Sequence, residues 1–107
     1  MIYTTTETIP GRDIIEIVGV VTGNVVQSKH IGRDIMAGLK SIVGGEIRGY
    51  TEMLSDARDV AINRLVASAA QKGADAIVGI RFTTSAIIDG SSEIMAFGTA
   101  VKLGPSR

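Results

Sequence analysis

Residues 50–72, YTEMLSDARDVAINRLVASAAQK, are the longest stretch of this chain to carry a helical pattern with neither Pro nor Gly. A helix of that length must bury one face, and the spacing says which. Met53, Ala57, Val60, Ala61, Arg64 and Leu65 recur at the four, three and four spacing of a core-facing stripe, with Leu54 beside them. A second apolar row, Ile62, Val66, Ala69 and Ala70, lies well round the cylinder and predicts that something more than its own sheet covers the helix. The remaining sector carries Glu52, Asp56, Asp59 and Asn63, an acidic stripe. Lys72-Gly73 predicts the C-terminal cap.

The flanking segments read as strands. Residues 13–28, DIIEIVGVVTGNVVQS, predict one long strand or two joined by a bulge. Ile15, Ile17, Gly19, Val21, Gly23 and Val25 fall on one face, and Ile14, Glu16, Val18, Val20, Thr22, Asn24 and Val26 on the other. Gly19 and Gly23 mark where the strand bulges or where a helix backbone comes close. Residues 28–43 predict a first, shorter helix, with Ile31, Ile35, Leu39 and Ile42 on one face, and the glycines of 44–50 predict a sharp reversal into the long helix. That glycine segment lacks the Lys-Ser/Thr of a phosphate loop and does not follow a strand, so a hinge is the reading preferred. Residues 75–88 predict a strand with Val78, Ile80, Phe82, Thr84, Ala86 and Ile88 on its core face, 89–92 a hairpin turn, and 93–103 the returning strand. Residues 2–6 suit a short strand or an extended arm, ended by a turn at Pro10-Gly11. The order β-(β)-α-α-β-β predicts a single α+β domain over residues 1–107, a mostly antiparallel sheet with two helices on one face.

Composition narrows the classes of function. The chain of 107 residues is 45% apolar but only 4% aromatic, so its core must come from Ile, Val, Leu and Ala. Its mean hydropathy of +0.29 implies more apolar surface than one small subunit buries, and a homo-oligomer is the usual remedy. Eleven basic residues balance eleven acidic ones without a basic run, which disfavours nucleic acid and anionic membrane as partners. With no Cys there is no thiolate chemistry or disulfide. No stretch reaches the roughly 18 apolar residues of a membrane span and no leader pattern opens the chain, so a soluble cytoplasmic protein is expected.

Several segments, taken in order, resemble the YbjQ-like family of small uncharacterised proteins labelled heavy-metal-binding. They are Thr4-Thr5, Gly19-Val20-Val21-Thr22-Gly23, Arg33-Asp34-Ile35 with Ala37-Gly38-Leu39, Ile42-Val43-Gly44-Gly45 with Tyr50, Ala57-Arg58 with Ala61, residues 73–79, and residues 98–103. The resemblance implies a dodecin-like subunit that assembles as a ring, a pentamer or a stacked decamer, and it implies no established activity.

The candidate sites follow from the residue inventory. Soft metals prefer thiolate, thioether and imidazole, and this chain offers one His, four Met and no Cys. His30 reads as a cap or surface residue, and Met36, Met53 and Met95 fall on apolar faces. Glu52, Asp56 and Asp59, repeated around a ring, would suit a hard divalent metal ion; the simpler reading is a solvated helix face whose carboxylates lie near the helix N-terminus. Arg33, Tyr50, Glu52 and Arg58 are the candidates for binding a small ligand at a subunit interface or pore, with ion pairing the simpler role for the two arginines. No nucleophile has a matching base, so no catalytic residue is assigned. A non-enzymatic binding ring is the preferred function, and an enzyme with an interface site around Tyr50 and Glu52 is the alternative.

Overall fold

The computed structural model describes residues 1–28, 42–43, 46–88 and 90–106. Strand β1 (Ile2–Tyr3) opens the chain, followed by the long β2 (Ile14–Ser28), the two-residue strands β3 (Ile42–Val43) and β4 (Glu46–Ile47), helix α1 (Arg48–Gln71), β5 (Ala76–Ile88) and β6 (Ser91–Leu103). The main sheet has the order β1-β5-β6-β2, while β3 and β4 pair antiparallel with each other. Pairings β5·β6 and β6·β2 are antiparallel, but β1 runs parallel to β5, so the sheet is mixed. The architecture is α+β as expected, with three corrections. Ile42 and Val43 are strand residues and not the end of a helix. The described residues hold one helix where two were expected, the body of the first falling on residues 29–41, outside them. The long helix also begins at Arg48 and so takes in residues 48–50 of the glycine segment, whose Glu46 and Ile47 form a strand paired back antiparallel on Ile42 and Val43.

Helix α1 lies on one face of the sheet, over β2 and β6. Its buried stripe is Ala57, Ala61, Leu65 and Ala69, each four residues from the last, and it meets Val21, Ile77, Ile80, Ala96 and Ala100. Ile62 and Val66 pack on the margin of the same cluster, so part of the second apolar row joins this contact, while Ala70 stays exposed. Three alanines in the stripe bring the helix close to the sheet. Gly23 completes that approach: a Cβ there would collide with the Ala61 carbonyl oxygen and the Leu65 amide nitrogen. Of the two roles expected for the strand glycines, Gly23 has the close approach, and Gly19 sits at a bulge. The helix ends as the sequence predicts. Gly73 has φ +76°, its amide donates to the Ala70 carbonyl (3.0 Å), and the Ala74 amide donates to the Ala69 carbonyl (3.1 Å), the paired bonds of a Schellman cap.

Bulges decide which way the strands face. β2 slips register between Ile14 and Glu16 and again between Ile17 and Gly19, and β5 slips between Val78 and Arg81. The alternation expected from sequence therefore breaks. Ile15 and Ile17 were expected to share a face with Val21, yet they stand exposed while Val18 packs with the helix-side core. Likewise Val78 faces away from the helix while Ile77 and Ile80 face it, and Phe82, farther along β5, is exposed. Ser91 and Ser92, expected in the turn, belong to β6.

Residues 4–12 form a strap across one end of the far face. Ile9 is its anchor, buried against Ala76, Val78, Val101 and Leu103 in a second, smaller core. The turn at Pro10-Gly11 is closed by the Arg12 amide donating to the Ile9 carbonyl (3.2 Å), and the Arg12 Nε donates to the Gly104 carbonyl (2.8 Å). Both ends of the strap are thus tied to the sheet.

Candidate functional site

Arg33 and His30 lie outside the described residues. Tyr50 belongs to the first turn of α1. Glu52, Asp56, Arg58 and Asp59 are all exposed on that helix. Because α1 starts at Arg48, no acidic residue falls in its first turn, and the dipole stabilisation expected for these carboxylates does not reach them. Among the described residues no three His, Cys, Asp or Glu side chains come together in a group that could hold a metal ion within one subunit. The charged groups of α1 with a defined role are elsewhere: Arg64 Nη1 donates to the Asn24 carbonyl of β2 (2.6 Å), fastening the helix to the strand.

A concave site appears instead on the sheet face away from α1. A groove of about 410 Å³ is lined by Ile14, Ile17, Val78, Val101 and Thr99, with Glu7 of the strap at its rim. That volume falls within the range of small-molecule sites. The pairing Ile17↔Val101 and the pairing Val78↔Thr99 set these side chains side by side across β2, β6 and β5. Gly79 also lines the groove; it has φ +64°, and a Cβ there would meet nothing within 4 Å, so the site opens over bare backbone.

Sequence reasoning missed this groove because periodicity assigns Ile17 to the helix face and Val78 to the same row as Ile80. Two register slips move them. The available signal was the pair of glycines at positions 19 and 79, each within an otherwise apolar strand, where a bulge reverses the alternation. Glu7 drew no attention because nothing local shows that Pro10-Gly11 folds the strap back over the sheet.

The fold and this face define a small α+β domain with a helix-covered core on one side of its sheet and a partly open apolar face on the other. The chain belongs to the YbjQ family, described as "Putative heavy-metal-binding", which matches residues 1–104. It is 99% identical over 107 residues, the whole of both chains, to a UPF0145 protein of Shewanella frigidimarina. It is also 59% identical over 103 residues to a UPF0145 protein of Archaeoglobus fulgidus, covering 96% of this chain and 95% of that one. A crystal structure from Pediococcus pentosaceus, titled as a protein of unknown function in the DUF74 family, is similar in fold, with a TM-score of 0.65 and 18% identity over 97% of this chain and 98% of that one.

Proposed function

We propose that this protein is a non-enzymatic, ring-forming homo-oligomer of dodecin-like subunits, a pentamer or a decamer, that works in the cytoplasm and binds a small ligand or a divalent metal ion at its subunit interfaces or central pore. One observation carries the reading: Ile15 (67% exposed), Val20 (70%) and Val26 (59%) all stand open on β2, the strand at the sheet edge. An edge strand of 15 residues carrying apolar side chains is a template for another chain, and closed symmetric assembly covers it without aggregation. The shape agrees. The radius of gyration is 17.1 Å, whereas a compact domain of this length has one of about 13 Å. Phe82 and Ile87 on β5 and Val60 on α1 add exposed apolar surface for a neighbouring copy.

A ring also supplies what one subunit lacks at the acidic stripe. Glu52, Asp56 and Asp59 repeated about an axis offer oxygen ligands suited to a hard divalent ion, with Tyr50 and Arg58 on the same helix. The ligand inventory, one His and no Cys, favours such an ion over a soft one. Nucleic acid and membrane are not partners on this reading, since net charge is zero and no helix among the described residues is long and apolar enough to cross a membrane.

Native mass spectrometry of protein purified without chelator tests both halves. Five or ten subunits, with a bound ion lost from a variant carrying Glu52→Gln, Asp56→Asn and Asp59→Asn that keeps its subunit number, is the expected result. A species of 11.2 kDa alone at micromolar concentration overturns the assembly.

A further inference from the structure

The groove on the far face of the sheet has a construction that assembly does not explain. Two bulges occur at one level on either side of the central strand β6. In β2 the slip comes between Ile17 and Gly19, and in β5 between Val78 and Arg81, so that Gly19 opposes Ala100 and Val78 opposes Thr99. Gly19 (φ +151°) and Gly79 (φ +64°) hold backbone conformations that L side chains rarely adopt. Paired bulges interrupt two ladders where uninterrupted strands would satisfy more hydrogen bonds, and bulges commonly re-aim side chains beside sites. Here Ile17 stands on the open face, and the half-buried Thr99 lies between it and Val78, which is buried with the strap's Ile9, beside a floor without a side chain at Gly79.

The rim is equally defined. Thr6, immediately before Glu7, accepts the Gly79 amide hydrogen on its carbonyl (2.8 Å) and donates its own hydroxyl to the Thr8 carbonyl (2.7 Å). Arg81 Nη1 donates to the Thr5 carbonyl (2.9 Å), and Ile9 is buried two residues beyond Glu7. The backbone carrying Glu7 is therefore fixed on both sides. Its carboxylate has no hydrogen-bonding or ionic partner among the described residues, and it is the one charged group lining the groove.

From this geometry we infer that the groove binds a small amphipathic amine, its ammonium group against Glu7 and its apolar body on Ile14 and Ile17, with Thr99 as the polar contact within. The sign of the rim charge selects the ligand. A carboxylate or phosphate of the same size meets Glu7 repulsively, and a neutral alcohol forgoes the charge-assisted bond. The strap and bulges are preformed, so little ordering cost opposes entry. All the groups belong to one chain, and the site goes beyond the assembly reading and stands without it.

The test uses n-hexylamine, 1-hexanol and hexanoate as probes, with amide chemical shifts of the full-length protein as the readout. Hexylamine is expected to give saturable shifts at Glu7, Gly79 and Thr99, with hexanol about threefold weaker, within what an ion pair contributes at an exposed carboxylate. Glu7→Gln, at an exposed residue with no partner to lose, is expected to bring hexylamine down to the affinity of hexanol and leave hexanol unchanged. Ile17→Trp, which fills the groove, is expected to abolish both. Equal binding of hexylamine and hexanol, unchanged hexylamine binding by the Glu7→Gln protein, or absence of saturable shifts would each overturn the proposal. The subunit count from native mass spectrometry reports separately on assembly, so failure of one reading is distinct from failure of the other.

Discussion

The two faces of the sheet are built from the same residue types and end in opposite conditions. On the helix face, Val21, Ile77, Ala96 and Ala100 are at most 2% exposed, because α1 brings three alanines and Leu65 down onto them. On the other face, the strap seals one end with a single anchor, Ile9, and leaves Ile17 and Val20 open. Apolar content is thus a poor guide to burial in this chain; what matters is which element the connection returns over which face. The covered face holds the domain together, and the other face stays largely open to solvent.

The sharpest way to break this contrast is at Leu65, fully buried at the centre of the helix-side core. Leu65→Ala is expected to cost about 3–4 kcal/mol in urea unfolding, the upper part of the range for cavity formation, and a loss under 1 kcal/mol would mean that the face is not sealed. Next is Gly23→Ala. The colliding atoms are helix backbone and cannot rotate away, so about 2–3 kcal/mol of overpacking is expected, with α1 displaced from β2. Gly73→Ala places a Cβ at the positive φ of the helix cap and is expected to cost about 1 kcal/mol, read as a lower melting temperature. The smallest effect is expected at Ile17→Ser. With 72% of this residue exposed, unfolding at a dilution where subunits are separate should change by about 0.5 kcal/mol or less. A loss comparable to that of Leu65→Ala would erase the distinction between the faces.

Arg64 sharpens the comparison from another side. It shares the predicted core stripe with Ala61 and Leu65, yet its side chain is exposed and reaches the Asn24 carbonyl. Helical spacing placed it correctly in angle, at the margin where a long side chain can leave the core and cap a strand carbonyl. The acidic stripe was legible in the same way: Glu52, Asp56 and Asp59 are exposed together on α1. That they do not gather within one subunit follows from their spread along the helix axis, which a wheel projection hides.

What the sequence determined by itself is local. The absence of Pro and Gly with a repeat near four residues set α1; Lys72-Gly73 set its cap; β-branched runs set β2, β5 and β6; Pro10-Gly11 set the turn before β2. Each is a property of a few consecutive residues and their allowed dihedrals, and so can be read in order. The tertiary structure decided the rest. Whether a glycine in a strand makes room for a helix, as Gly23 does, or slips the register, as at Gly19 and Gly79, depends on what lies opposite it in another strand or helix. One slip turns every following side chain to the other face. For that reason Ile17, Val78, Thr99 and Glu7 meet at a groove that no spacing between them in the chain could announce.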